Sequence, residues 1–169
     1  MTVTDLERMY DYGYWANRRL LSVAARLTPE QFTQHVAGTY GSVRTTLVHI
    51  MAAEWAWLER SGGQARSRRI VADDYPTVAA VVDAWAALER YVRAFLASWT
   101  DDDLAGGVAC TGPGGSTRVM AIGTMLQHGA NHGVHHRGQV SMLLRMLGAE
   151  PVDIDLLFYD VERHNLEPW

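Results

Sequence analysis

The sequence predicts an all-α protein, a four-helix bundle with long connections, formed by a single domain that covers residues 1–169. Three observations support this prediction. Four segments repeat apolar residues at spacings of three and four, which is typical of amphipathic helices. No alternation of apolar and polar residues is long enough to predict a sheet. A chain of 169 residues that is 48% hydrophobic suits one globular domain that needs no disulfide to fold.

The first predicted helix runs from about Thr4 to Leu27. Its apolar face recurs at helical spacing and comprises Leu6, Tyr10, Gly13, Asn17, Leu20, Ala24 and Leu27. Residues 28–31 then predict a short capped turn, with threonine at the N-cap, proline at N1 and glutamine at N3. The second predicted helix spans Ser42 to about Arg60 and ends before two glycines.

A polar linker over residues 62–76 precedes the third predicted helix, whose apolar residues repeat without a break from Val78 to Trp99. Residues 104–117 are rich in glycine and predict a loop with room for a short hairpin. The tail is expected to hold one short helix around Asp155 to Tyr159.

The fourth predicted helix begins near Ser116 or Thr117 and ends at Leu147. Gly148 follows it at the position where helices favour glycine. Because this helix carries four of the seven histidines, its register decides where their imidazoles point.

Composition and charge exclude several classes of protein. All 15 basic residues are arginine, which excludes Schiff-base and P-loop chemistry that needs lysine. The net charge of −4 argues against a nucleic-acid binder. No apolar run approaches the roughly 20 residues that span a bilayer. No signal peptide is visible and Cys110 is the only cysteine, so a cytoplasmic protein is expected.

One basic cluster stands in the linker, at Arg66, Arg68 and Arg69. We interpret it as a solvated loop in preference to an anion contact. Cys110 is interpreted as an incidental loop thiol, and the tryptophans as core packing.

The histidines of the fourth helix divide into two groups when placed at about 100° per residue. His132 and His136 lie about 40° apart on the apolar face, so both imidazoles point toward the core. His135 is expected near solvent, and His128 lies at the edge of the buried face. Two histidines four residues apart can bind one metal ion, as in the HExxH zinc helix. Residue 133 is glycine, however, so the glutamate of a metalloprotease is missing.

A third ligand must come from another helix, and His49 is the natural candidate. Small side chains flank its face, at Ala52, Ala53 and Ala56. They leave room for an ion and a ligand. The alternative is that these histidines only hydrogen-bond to backbone carbonyls. His35 and His164, in a loop and the tail, are disfavoured as ligands.

Three further residues are candidates for a supporting role beside the metal. Asn17 interrupts the apolar face of the first helix, so its amide needs a partner such as a histidine N–H or a water. The alternative is a polar contact that fixes helix register. His128 is one turn from His132, and Gln139 projects within about 20° of it. Glu54 projects away from His49 and is interpreted as structural or surface.

The residues 132–139, HGVHHRGQ, resemble the HxxxHRGQ signature of the DinB/YfiT-like superfamily. Three weaker segments agree with this resemblance: YWANR at 14–18, LVHI at 47–50 with Glu54 and WL at 57–58, and QVSMLLRMLG at 139–148. The resemblance implies a four-helix bundle with one divalent metal held by His49, His132 and His136, the three residues that the helical projection selects.

Members of this superfamily include thiol-dependent S-transferases and a mycothiol-dependent maleylpyruvate isomerase, so the resemblance transfers the site better than the activity. We expect a metal-dependent transferase or hydrolase that acts on a small-molecule substrate, including a low-molecular-weight thiol. Zinc is the favoured ion, and nickel, iron and other transition metals also accept imidazole. The alternative is a non-catalytic, metal-stabilised binding protein linked to stress. A homodimer is compatible with either function, and no nucleic-acid or membrane partner is expected.

Overall fold

Four long helices carry the fold, as the sequence predicts. The computed structural model describes residues 1–64, 67–112, 114–150 and 152–167. The long helices are α1 (Val3–Ala24), α3 (Val43–Ser61), α4 (Val78–Ala97) and α6 (Ile122–Met146). The shorter elements are α2 (Pro29–Thr33), a 3-10 turn (Ala72–Asp74), α5 (Asp101–Ala105), strands β1 (Gly107–Thr111) and β2 (Thr117–Ala121), and α7 (Leu156–Arg163). The predicted fold class is therefore confirmed.

The long helices pack in a ring in the order α1, α6, α3, α4. Helix α6 contacts α1 and α3, and α4 contacts the same two helices from the other side. The core between them holds side chains with no solvent exposure, among them Leu6, Leu20, Leu47, Leu58, Met125 and Leu143. Because α3 and α6 are neighbours, histidines on these two helices can meet at their shared surface.

Side-chain caps explain where most helices begin. Thr2, Ser42 and Thr77 accept hydrogen bonds from backbone N–H groups in the first turns of α1, α3 and α4. The predicted capped turn forms helix α2, in which Thr28 and Gln31 complete a capping box around Pro29. Each cap satisfies donors that have no partner inside the helix.

The prediction that the fourth long helix begins near Ser116 or Thr117 is wrong. Residues 117–121 form β2, which pairs antiparallel with β1, and α6 begins only at Ile122. The hairpin that the glycine-rich loop allowed is present, whereas a sheet was not expected. Both strands have only five residues and are largely exposed, so their apolar alternation is too short to detect.

Other boundaries differ by a few residues. Helices α1 and α4 end at Ala24 and Ala97, two or three residues earlier than predicted. Asp101–Ala105 forms an unpredicted short helix, α5, started by a capping box on Thr100. The tail helix α7 is longer than predicted. None of the described helices combines the length and the apolar character needed to cross a membrane.

Two glycines inside α6 allow close approach by large neighbouring groups. A Cβ atom at Gly129 would lie 3.0 Å from the hydroxyl of Tyr10, and one at Gly133 would lie 2.8 Å from Nη1 of Arg137. These contacts explain why α6 tolerates residues that cost about 1 kcal/mol each against alanine in a helix interior.

Candidate metal centre

Three histidines from two helices converge on one point. His49 extends from α3, and His132 and His136 extend from successive turns of α6. One nitrogen from each ring can be chosen so that all three lie within 4.8 Å of one another. The Nε2 atoms of His49 and His132 are 3.2 Å apart. The tertiary structure therefore brings together the three residues that the sequence selected, in a group that could hold a metal ion.

Outer hydrogen bonds orient two of the three rings. The Nδ1 atom of His49 lies 2.8 Å from the hydroxyl of Tyr40, and Nδ1 of His136 lies 2.7 Å from Oε1 of Gln139. Because Oε1 can only accept, His136 carries its proton on Nδ1 and leaves the Nε2 lone pair free. The same tautomer of His49 donates to Tyr40. Such outer partners fix the orientation of metal-ligating histidines.

The donor set fits a divalent transition metal. Tetrahedral coordination with metal–nitrogen bonds of about 2.0–2.1 Å places two ligand nitrogens about 3.3 Å apart, close to the 3.2 Å between His49 and His132. Two imidazole lone pairs facing each other at this distance repel unless a proton or a cation lies between them. The Nδ1 atom of His132 is buried without a hydrogen-bond partner among the described residues, so no described outer partner orients this ring through Nδ1.

The surroundings keep all three imidazoles neutral near pH 7. Burial, with the neighbouring His136 and His49, lowers the pKa of His132 to about 4. Burial is also the main cause that lowers the pKa of His49 and of His136 below the ordinary imidazole value. Neutral imidazole is the form that binds metal, so the apo cluster already has the required protonation state.

The other sequence candidates occupy different positions. Gln139, which the helical projection placed near His132, contacts His136, with its Oε1 atom 2.7 Å from Nδ1 of that ring. His128 is exposed, packs its ring edge-to-face against Trp57 and lies 6.2 Å from His132 between ring centroids. His135 is exposed, as predicted, and accepts a hydrogen bond from Nε2 of Gln139.

Asn17 is bound elsewhere in the core. In the amide orientation that satisfies both of its polar atoms, nitrogen donates to the carbonyl of Gly13 and oxygen accepts from the indole of Trp85, both at 3.2 Å. This geometry agrees with the alternative interpretation, a polar contact that fixes helix register. It agrees less well with a role for Asn17 as a partner of the metal ligands.

Tyr40 was missed by the sequence analysis. It lies in the loop before α3, and its ring centroid is 4.4 Å from that of His49 and 5.4 Å from that of His136. The sequence does not predict the path of this loop. It therefore gives no sign that a tyrosine nine residues before His49 is the hydrogen-bond partner of that histidine. An open groove of about 560 Å³ adjoins it, lined by Gly38, Thr39, Tyr40, His135, Gly138, Gln139 and Met142.

Glu54 is buried, so the surface interpretation is wrong. Its Oε1 accepts a hydrogen bond of 2.5 Å from the hydroxyl of Tyr14, across the bundle from α1. Burial raises the pKa of Glu54 to about 7, although the nearby guanidinium of Arg137 opposes this shift. A buried polar cluster of Tyr14, Glu54 and Arg137 thus lies inside the bundle and contributes no ligand to the histidine group.

Removing the outer partners should weaken metal binding without unfolding the protein. We expect Tyr40→Phe and Gln139→Leu each to lower metal affinity by about 10- to 100-fold, because each leaves a ligating ring without its orienting acceptor. Competition with a chromophoric chelator measures the affinity, and circular dichroism checks the fold. Arg145→Gln, a change to an exposed residue further along α6, is the control. Wild-type affinity in both variants would contradict the assigned roles.

Comparisons with known proteins place the chain among related helical proteins. A model of the DinB family matches residues 1–166. Protein DinB of Bacillus subtilis (strain 168) is 24% identical over 162 residues, which cover 90% of this chain and 92% of that protein.

Two solved structures share the fold. A DinB-like protein from Bacillus cereus ATCC 10987 superposes with a TM-score of 0.65 at 21% identity, covering 90% of this chain and 97% of that one. A conserved protein from Enterococcus faecalis gives a TM-score of 0.63 at 15% identity, covering 87% and 98%.

Proposed function

Because this chain belongs to the DinB family, we propose that it is a metal-dependent enzyme whose single divalent ion is held by His49, His132 and His136. The observation that carries the proposal is the convergence of three neutral imidazoles, two of them oriented by outer hydrogen bonds. Zinc suits such ligands best, and nickel and iron accept them as well. A site with three protein ligands leaves a coordination position for substrate, which is typical of catalytic metal centres.

The proposed reaction is transfer of a low-molecular-weight thiol to an electrophile, with hydrolysis as the second choice. When bound, the ion supplies a +2 charge that lowers the pKa of a thiol or a water. Three neutral ligands leave that charge uncompensated, and the group of metal-capable donors contains no described carboxylate. This electrostatic balance favours an anionic substrate atom such as a thiolate.

The protein residues in this proposal bind and orient. Tyr40 and Gln139 each accept the Nδ1 proton of a ligand histidine, which keeps both Nε2 atoms directed at one point. The groove beside Tyr40 has about 560 Å³, enough for a small molecule, and no described residue that lines it is acidic. We propose that the body of the substrate lies there.

A non-catalytic role, as a metal-stabilised binding protein linked to stress, is the second candidate. One observation favours it: the described side chains that hydrogen-bond to the cluster are Tyr40 and Gln139, and no described carboxylate belongs to the cluster to act as a general base. Under this alternative the ion would only join α3 to α6.

An activity screen separates the two candidates. Protein purified without a nickel column is analysed for metal, then assayed with glutathione or cysteine and the electrophile 1-chloro-2,4-dinitrobenzene. In this test a carbon–sulfur bond forms, chloride leaves and the thiol proton passes to the buffer. Ester hydrolysis is assayed in parallel. The proposal expects turnover that His132→Ala removes. Turnover equal in wild type and variant, or none with metal fully bound, would favour the non-catalytic role.

Removing the ion should leave the helices intact. The core of the bundle holds many fully buried side chains away from the cluster, so we expect protein treated with EDTA to keep its far-UV helical signal and unfold cooperatively at a lower midpoint. At a thousandfold excess of metal over Kd, binding to the folded state stabilises by about 4 kcal/mol. Collapse to a random coil on chelation would contradict this prediction and favour a structural ion.

A further inference from the structure

Two features of the sequence supply no metal ligand: the arginine cluster of the linker and the glycines of α6. Arg66 lies outside the described residues, and Arg68 and Arg69 are exposed. The glycines of α6 need a physical reason, because each makes the interior of a helix less stable than alanine would.

Helix α6 contains four glycines, and packing explains three of them. A Cβ atom at Gly123 would lie 3.2 Å from the carbonyl oxygen of Leu104, and Gly129 and Gly133 have the close neighbours described above. A side chain at any of these three positions would crowd a group inside the bundle. Gly138 is the exception. A Cβ atom there would meet no atom within 4 Å from the described residues beyond its own stretch of helix.

The backbone conformation of Gly138 does not require glycine either. The residue lies well inside α6 and is not among the described glycines with a positive φ. Alanine could adopt the same helical conformation and would lose less backbone entropy on folding. Gly138 therefore lowers the stability of α6 without serving either its packing or its backbone geometry.

Gly138 lies instead in the wall of the groove beside the histidine cluster. The loop that carries Tyr40 forms one wall of this groove, and α6 forms the other with His135, Gly138, Gln139 and Met142. Residues three or four apart are neighbours on a helix surface, so His135 and Met142 flank Gly138 on either side. Gly138 is exposed, and the wall between these two side chains is bare backbone.

The groove is in contact with the outer partners of the metal ligands. Its residues Tyr40 and Gln139 hydrogen-bond to His49 and His136. A molecule in the groove therefore lies directly beside the cluster. Any side chain at position 138 larger than that of alanine would extend into this volume of about 560 Å³.

We propose that Gly138 determines the size of the substrate, because its bare backbone gives room for the body of a low-molecular-weight thiol. This inference rests on the proposed function. A residue that lowers stability and is not needed by the fold is expected where function requires it. A large side chain at position 138 should exclude thiols with a bulky body and still admit thiols that have almost none.

Two thiols of different size test this inference without a measurement of turnover. Glutathione and 2-mercaptoethanol carry the same reactive group, but only glutathione has a body large enough to extend over position 138. In protein loaded with cobalt(II), a bound thiolate gives a charge-transfer band in the near ultraviolet, so titration measures the affinity of each thiol. Gly138→Leu should weaken glutathione binding by about tenfold or more and leave 2-mercaptoethanol binding unchanged.

Two further variants separate the size of the groove from other effects. Gly138→Ala should raise Tm by about 2–4 °C, because the helix gains stability and the added methyl group meets no neighbour. It should weaken glutathione binding less than Gly138→Leu does. Asn131→Leu is the matched control, at an exposed position of α6 about two turns earlier and outside the groove. It should leave the affinity for both thiols unchanged.

The cobalt d–d spectrum of each variant checks that the ion is still bound. The inference is overturned if Gly138→Leu leaves glutathione affinity unchanged or weakens both thiols alike. It is also overturned if Gly138→Ala lowers Tm, or if it weakens glutathione as much as Gly138→Leu, since helix stiffness would then be the cause. A wild-type protein that binds cobalt and gives no charge-transfer band with either thiol would contradict the proposed thiol chemistry, and this inference with it.

Discussion

Replacing His132 with alanine is expected to abolish tight metal binding, with a loss of more than a hundredfold in affinity. The variant keeps His49 and His136, but two imidazoles do not make a tight site for a divalent ion. The loss should exceed the 10- to 100-fold effect of removing an outer partner. Elemental analysis of protein purified without a nickel column, followed by chelator competition, measures both the metal content and the affinity.

His135→Ala is the matched control for this experiment. His135 is the residue before His136, yet it is exposed and lies outside the group of three. Metal affinity should therefore change little in this variant. Equal losses in the His132 and His135 variants would show that the register of α6 differs from the one described.

Lowering the pH should release the ion only below the ordinary range of imidazole titration. Protons compete with metal for the same nitrogens, and an ordinary imidazole is half protonated near pH 6.5. Because burial lowers the pKa of His132 to about 4 and also lowers that of His49, competition begins at lower pH. Metal affinity measured between about pH 7 and pH 4 should decline later than for free imidazole. A steep loss near pH 6.5 would contradict the neutral cluster.

Relative to wild type, Glu54→Gln should stabilise the folded state more at alkaline pH than at acid pH. Burial raises the pKa of Glu54 from 4.5 to about 7 in the folded state. Between these values the folded protein binds a proton that the unfolded chain releases, so this carboxyl makes wild-type stability fall as pH rises. The variant has no ionisable group at this position, so it lacks this pH-dependent contribution to stability. Its amide oxygen still accepts a hydrogen bond from Tyr14. The difference in unfolding free energy should grow by about 3 kcal/mol between about pH 4 and pH 8.

Urea denaturation of both proteins across this pH range measures the effect. Glu150→Gln, a change to an exposed glutamate beyond α6, is the matched control and should follow the wild-type profile. A difference between Glu54→Gln and wild type that does not vary with pH would mean that folding does not raise the pKa of Glu54.

The sequence alone determined the long helices and the three histidines. Each helix buries one face, so its apolar residues recur at helical spacing. Val81, Trp85 and Leu88 have this spacing and predict α4 without knowledge of the helices that pack against it. The i, i+4 spacing places His132 and His136 on one face, because both residues belong to the same rigid element. His49 could be selected as well, because it lies inside a predicted helix beside small side chains, whereas His35 and His164 lie in a loop and in the tail.

Only the tertiary structure decided what surrounds those histidines. Tyr40 reaches His49 from a loop, and loop paths depend on turns and distant contacts that have no period in the sequence. The helical projection allowed Glu54 to face solvent. In the folded protein it is buried, with Tyr14 of α1 and Arg137 of α6 close to its carboxyl group. The short hairpin before α6 is held by pairing between strands, not by burial of a face. Local repeats thus encode the helices, whereas protonation states and outer hydrogen bonds depend on which elements meet, and that is set by packing across the whole chain.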